Sequence, residues 1–302
     1  MTAVPGLFAV VGATGTGKSE FALDLVEALR ERGRDAEIVG ADAMQLYRGM
    51  DIATAKLPVG ERRGIAHHLI DVLEPGEDAA VAWYQQAARD AISEIWSRGR
   101  DAVLVGGSGL YVSSVLWDFR FPPRDEALRA RLESELETQG AGALFDRLRS
   151  LDPVTAARID ARNGRRVIRA LEILELGEST HGAALPEAPV VWAPHRILAL
   201  SSPREDLVLR LDARVERMWQ QGLMAEVARL REAGLEPGAT AARAIGYAQA
   251  FAQLDGMMTE AEAIAETQAL TRRYARRQVS WFRRYAEAEW VDPLETRPVA
   301  IL

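Results

Sequence analysis

The stretch Leu7-Phe-Ala-Val-Val-Gly12-Ala-Thr-Gly-Thr-Gly-Lys18-Ser19 decides the fold. A β-rich apolar run over 7–11 leads into the Gly-rich octet 12–19, and a helical pattern then continues to about Arg32, where Gly33 ends it. Strand, loop and helix in that order complete the phosphate-loop pattern. Gly12, Ala13, Thr14, Gly15, Thr16 and Gly17 let backbone N–H groups turn inward on a diphosphate, Lys18 neutralises it, and the Ser19 hydroxyl can ligate magnesium. The residues call for a diphosphate, but they do not single out ATP. A hydrolytic ATPase would place an acidic residue after an apolar strand to hold the metal near water, whereas the strand expected over 102–105 runs into Gly106-Gly107.

Working outward, buried-strand signals recur over 36–41, 68–72, 102–105 and 196–201. Between them a helix is expected over 79–98, with Trp83, Ala87, Ala91 and Ile95 on one face. Strands alternating with helices predict an α/β fold, a P-loop NTPase-like parallel sheet flanked by helices, whose ligand binds beyond the carboxyl ends of the strands. Pro122-Pro123 breaks the alternation. From there to about residue 177 the chain reads as helical and Arg-rich, and 181–194 as a Gly/Pro/Ala loop. The expected organisation is a catalytic core of 1–121 plus 195–302, with 122–194 inserted as an all-helical unit and long helices filling most of 203–286.

The 302 residues, 48% apolar, suffice for one sizeable core and a smaller second unit. No cysteine is present, which excludes a disulfide framework, a thiolate nucleophile and a Cys-built zinc site. The four histidines offer little for metal chemistry, and the adjacent His67 and His68 would point to opposite faces of a strand. No leader-like or membrane-spanning window is seen, so a soluble cytoplasmic protein is expected; a monomer is the separate expectation for its assembly. The net charge of −7 argues against indiscriminate nucleic-acid binding, although it is a local basic surface that contacts phosphates.

Asp42 follows the second strand, where the cleft should open; as a lone acid it is equally a helix N-cap or a group near magnesium. Thr54-Ala-Lys56 adds a cation nearby that could as well be a solvated surface lysine. Gly106-Gly-Ser108-Gly-Leu-Tyr111 can bring backbone and a hydroxyl to an anion, or can be a tight strand-to-helix turn. Two basic clusters stand against the acidic total. Arg158, Arg162, Arg165, Arg166 and Arg169 lie in the inserted unit; Arg272, Arg273, Arg276, Arg277, Arg283 and Arg284 lie late in the chain with Tyr274, Trp281, Phe282 and Tyr285 among them. Such density suits RNA phosphates and exposed bases, or a solvated, salt-bridged face.

Taken together, six ordered blocks resemble the bacterial tRNA dimethylallyltransferase family across nearly the whole chain. They are the octet 12–19, the run from Asp42-Ala-Met-Gln-Leu-Tyr to Lys56, Val-Gly-Gly-Ser108-Gly-Leu-Tyr, Arg165-Arg-Val-Ile-Arg-Ala-Leu-Glu172, Arg243-Ala-Ile-Gly-Tyr, and Thr271-Arg-Arg-Tyr-Ala-Arg-Arg-Gln278-Val-Ser-Trp-Phe. The resemblance implies transfer of a dimethylallyl group from dimethylallyl diphosphate to N6 of the adenosine beside the anticodon, with Mg2+ as cofactor and the anticodon stem-loop of tRNA as partner. It makes Asp42 the acceptor of the N6 proton and sets Ser108 near the scissile oxygen. Lys18 and Arg243 stabilise the departing diphosphate, and Ser19 takes the metal. The flipped adenosine falls to Asp42, Ala43, Met44, Gln45 and Ser108, and further tRNA contacts to Arg129, Arg165, Arg166, Val167, Ile168 and Arg169. Three positions depart from the pattern: Ala43 stands for a usual serine, Ser108 for a threonine and Ala248 for a common arginine. The rival readings are an adenylate isopentenyltransferase, a P-loop small-molecule kinase, a helicase-like ATPase and a non-catalytic RNA-binding module.

Overall fold

The computed structural model describes residues 5–119, 121–122, 124–177, 190–236 and 240–302; most of the expected loop 181–194 lies outside them. The chain divides into two compact units, Met1–Leu116 with Trp192–Leu302, and Trp117–Val191. In the larger unit β1 (Leu7–Gly12) enters α1 (Lys18–Glu31), followed by β2 (Ala36–Gly40), β3 (His67–His68), α2 (Val81–Ser97), β4 (Asp101–Gly106) and α3 (Gly109–Leu116). The smaller unit holds α4 (Glu126–Leu151), α5 (Pro153–Ala156) and α6 (Gly164–Glu175). The larger unit resumes with β5 (Arg196–Leu200), α7 (Arg204–Gln220), α8 (Leu223–Glu232), α9 (Tyr247–Leu254), α10 (Glu260–Phe282) and β6 (Ala288–Val291).

All strand pairs are parallel, in the order β3-β2-β4-β1-β5-β6. Every residue of β1 is buried, which explains its unbroken apolar reading: a central parallel strand is covered on both faces. Helix α1 lays Phe21, Leu25, Val26 and Leu29 on Phe8, Val10, Ile38 and Val103. The register pairs Val11 with Gly106 and Gly40 with Val105, so the loops after β1, β2 and β4 emerge side by side at one end of the sheet.

Three elements differ from expectation. The strand expected over 68–72 stops after His68, because Leu69 and Asp71 take positive φ angles of 58°, which no strand accommodates. Helix α2 buries Tyr84, Ala88, Ile92 and Ile95 and leaves Trp83 40% exposed, a one-residue rotation of the expected face. Its first turn sets that choice: the Tyr84 hydroxyl donates to Gly40 O at 2.8 Å and its ring tilts on Tyr111 at 4.4 Å. Strand β6 went unforeseen because it is a four-residue edge strand with two exposed positions and no apolar run.

A charge cluster secures one edge of the sheet. Buried Glu37 on β2 accepts from Arg100 (2.6 Å), meets His68 Nε2 (2.6 Å) and accepts from Arg98 (2.9 Å). Burial alone would raise its pKa, but these donors outweigh it and hold the carboxyl at about 2, against an ordinary 4.5. In the smaller unit, α4 and α6 close on Leu132, Leu144, Leu148, Val167, Ile168 and Leu171. Fully buried Glu172 there takes Arg169 at 2.8 Å, Arg129 at 3.5 Å and the N–H of Asp125 at 3.2 Å. Among the described residues no helix is long and apolar enough to cross a membrane.

Glu37 contributes stability that is complete above the unfolded pKa and is lost as pH falls from about 4.5 towards about 2. Urea midpoints measured across that window should drop in the wild type, and Glu37→Gln should flatten the drop. Glu172→Ala leaves two guanidiniums without their shared counter-charge and should cost about 2–3 kcal/mol. Hydrogen exchange should locate that loss in α4 and α6.

Candidate active site

The loop between β1 and α1 forms a cradle whose shape follows from its glycines. Gly15 and Gly17 sit at φ 80° and 86°, left-handed values that favour glycine. No side chain caps α1, so the N–H groups of its first turn are available to an anion. Thr16 closes the bend with its hydroxyl on Ala13 O at 2.8 Å. Lys18 folds back to the same carbonyl at 2.7 Å. Burial pulls the Lys18 ammonium down to about 8, with Asp42 opposing the shift and Arg214 adding to it. Ser19, the second residue of α1, is exposed.

The sequence reading overlooked two residues of this loop's surroundings. Arg214 on α7 donates to the Thr14 hydroxyl at 3.1 Å and leaves its buried Nε without a partner. Gln278 on α10 accepts from the Thr14 N–H and donates to Gly107 O, both at 2.8 Å, and so ties the loop after β1 to the loop after β4. Gln278 belonged to a quoted block, but nothing in its spacing assigned it a task. Arg214 had no local signal, since its partner lies 200 residues away in sequence.

Asp42 stands between these groups. One carboxylate oxygen accepts the Met44 N–H at 2.9 Å in a side-chain turn, and no helix starts there, so the helix-cap alternative falls away. Its charge is felt by Lys18, Arg214 and Tyr274. Ser108 accepts the Ala43 N–H at 3.3 Å and bonds the Tyr274 phenol, which burial and the neighbouring Asp42 push up to about 12. The glycines around Ser108 serve close approach: a Cβ at Gly106 would overlap the Ala41 backbone, at Gly107 the Gln278 amide, and at Gly109 the Trp281 ring. Cradle, Asp42 and Ser108 are thus gathered at the carboxyl ends of three adjacent strands.

Gln45 spends its amide on Thr54 O at 3.1 Å. Lys56 is neither a free cation nor a solvated one: it is buried, donating to Tyr47 O and Asp51 at 2.7 Å and to Asp71 at 2.5 Å. Arg243 is exposed at the end of the turn 241–243, and Gly246 just beyond it packs on Ala53. Tyr247 then bonds the buried Glu226, which also accepts the N–H groups of Asp51 and Ile52. In the smaller unit the residues expected at the RNA surface differ in exposure. Val167 and Ile168 are core residues, 0% and 1% exposed, and the guanidiniums of Arg129 and Arg169 are engaged by Glu172; Arg165 and Arg166 are exposed.

For magnesium, the described residues contain no cluster of three His, Cys, Asp or Glu side chains that could cage an ion. The exposed Ser19 hydroxyl beside the cradle does fit the way Mg2+ is held with a diphosphate, where phosphate oxygens and waters supply most ligands.

Comparison with known proteins agrees with this geometry. The family profile described as IPP transferase matches residues 45–285. The chain is 60% identical over 291 residues to a tRNA dimethylallyltransferase of Clavibacter sepedonicus, covering 96% of this chain and 94% of that one. It is 61% identical over 249 residues to that of Leifsonia xyli subsp. xyli, covering 82% and 95%. Among solved structures it is similar to the tRNA isopentenylpyrophosphate transferase of Bacillus halodurans, with TM-score 0.67, 38% identity, and 95% and 89% of the two chains covered. It is also similar to a eukaryotic dimethylallyltransferase acting on tRNA, with TM-score 0.80, 25% identity, and 95% and 73% covered. On the cradle, the carboxylate beside it and these likenesses, the chain belongs to the IPP transferase family.

Proposed function

We propose that this chain transfers a dimethylallyl group from dimethylallyl diphosphate to N6 of the adenosine beside the anticodon in tRNA, releasing diphosphate. The observation that carries the reading is the convergence of Lys18, Arg214 and Asp42 on one phosphate cradle, with the Ser108 hydroxyl alongside. Two cations serve the leaving group, and one carboxylate serves the nucleophile. An adenine amine is a weak nucleophile because its lone pair is delocalised into the ring, so cleavage of the carbon–oxygen bond runs ahead of carbon–nitrogen bond formation. The diphosphate leaves with the electron pair, and charge builds on the α-phosphate oxygen released from carbon.

Lys18, Arg214 and the N–H groups of the loop stabilise that charge where it develops. Loss of one such donor commonly costs about 2.7–4 kcal/mol. Asp42 collects the N6 proton as the nitrogen is alkylated, help of a kind that contributes roughly 10²–10⁴-fold. Magnesium, held by Ser19 and the diphosphate, would neutralise the leaving group further. The amine is out of reach while the base is stacked, so the nucleotide must be extruded towards Asp42, Ala43, Met44 and Gln45. Arg165 and Arg166, exposed and close together on α6, are the RNA contacts that this reading favours in the smaller unit.

The deciding experiment offers the protein dimethylallyl diphosphate with unmodified tRNA, with AMP, and separately offers ATP. Prenylated tRNA without ATP turnover is expected; transfer to AMP alone, or ATP consumption, would replace this reading with one of its rivals. Asp42→Asn should lower turnover at least about a hundredfold while tRNA affinity stays near normal. A rate close to wild type would strip Asp42 of its role.

The depressed Lys18 pKa gives a pH signature with a definite sign. A bound diphosphate favours the protonated ammonium, so in the empty site the lysine must regain its proton once pH exceeds about 8. Affinity for dimethylallyl diphosphate should be level below that pH and weaken by up to about tenfold per unit above it. Titrations of Lys18→Arg should lose this slope. Wild-type affinity that stays flat to high pH would show that the ammonium does not hold the ligand.

A further inference from the structure

The arginines of α10 and of the turn that ends it, Arg283 and Arg284, divide by face, and one face has no assigned task. Arg277 lies over the Tyr274 ring and Arg284 over the Trp281 ring. Arg272, Arg276, Val279 and Arg283 recur at helical spacing and turn towards α7. There they line a cavity of about 520 Å³ that also takes in Arg204 and the hydroxyl-bearing Ser202 and Ser280. Its floor is apolar, with Leu207, Leu211 and Val279 among its residues. An adjoining hollow of about 420 Å³ shares Ser202, Leu207, Val279 and Arg283 and continues to Thr16 of the phosphate loop.

The charge here is unbalanced. Arg272 pairs with Asp212 at 2.5 Å, but among the described residues Arg204, Arg276 and Arg283 have no acidic partner and no carboxylate lines either hollow. Three exposed guanidiniums around one concavity raise the local positive potential, which favours an anion there. The floor calls for something else, since a bare phosphate would leave the half-buried Val208 and Val279 facing water. The size lies within the range of small-molecule sites.

We propose that this groove between α7 and α10 is a second ligand site for an organic phosphate ester: the arginines take its phosphates, and the apolar floor takes an isoprenoid or nucleobase body. The site is separate from the cradle but touches it. Leu207 and Leu211, on the floor, pack against Gly15, where an added Cβ would come within 3.2 and 2.8 Å of them. An occupant of the groove therefore bears on the leucines that shape the loop.

Calorimetric titration of the full chain tests this without tRNA, so its outcome is independent of the transfer reading. The probes are geranyl diphosphate and AMP, with inorganic diphosphate as control. Wild type should show two classes of site for at least one organic probe, and which probe does so identifies the body. Lys18→Ala should retain the groove site. Arg276→Gln combined with Arg283→Gln should weaken that site by at least about tenfold and leave the cradle unchanged. Both arginines are exposed, and a circular-dichroism melt checks that the double variant folds. A single class of site for both organic probes in the wild type would overturn the proposal. So would a second site indifferent to the double substitution, or one that inorganic diphosphate fills equally well.

Discussion

Lys18 and Arg214 face a single carboxylate, Asp42, at the end of the sheet. Burial lowers the pKa of both cations, and Asp42 compensates only one positive charge. The remaining charge is what a diphosphate neutralises, so the affinity of the loop and the discomfort of the empty site are the same electrostatic fact. The surrounding structure is arranged to hold that imbalance in place. Strands β1, β2 and β4 put their carboxyl ends side by side, α7 brings in one guanidinium, and α10 fixes the loops from behind.

Helix α10 supplies most of the fixing. Tyr274, Gln278 and Trp281 follow one another at helical spacing and meet Ser108, Gly107 and Gly109 respectively. The glycine run after β4 is therefore less a flexible segment than a surface shaved down to admit a helix. Tyr285 extends the contact, with its hydroxyl on Ser113 at 2.6 Å. The same arrangement accounts for Lys56 and for Glu226, which stiffen the 42–56 segment: one threads its ammonium through it, the other caps its N–H groups.

Much of this was legible in the residues. The octet 12–19 announced itself because a phosphate loop is a local object, and Asp42 and Ser108 could be placed because each directly follows a strand. What escaped was long-range or set by a tertiary choice. Arg214 and Gln278 meet Thr14 across 200 and 264 residues, and no local period encodes such meetings. Trp83 and Tyr84 are both aromatic, so periodicity alone could not say which faces the sheet; the bond from Tyr84 to Gly40 decides it. Val167 and Ile168 lay inside an Arg-rich block, yet their apolar character sent them to the core of their own unit. Density of arginine likewise did not distinguish Arg165 from Arg169, which differ in having a buried glutamate within reach.

The bond between Gln278 and Thr14 also bears on how fast the enzyme can empty itself. Because the amide of Gln278 has already taken the Thr14 N–H, a departing diphosphate is released from one donor fewer than the backbone of the loop carries. A hydrogen bond to a charged oxygen is worth about 1.5–3 kcal/mol, so withholding one shortens the residence of the by-product by roughly an order of magnitude or more. A cradle pre-engaged in this way favours repeated cycling over tight retention.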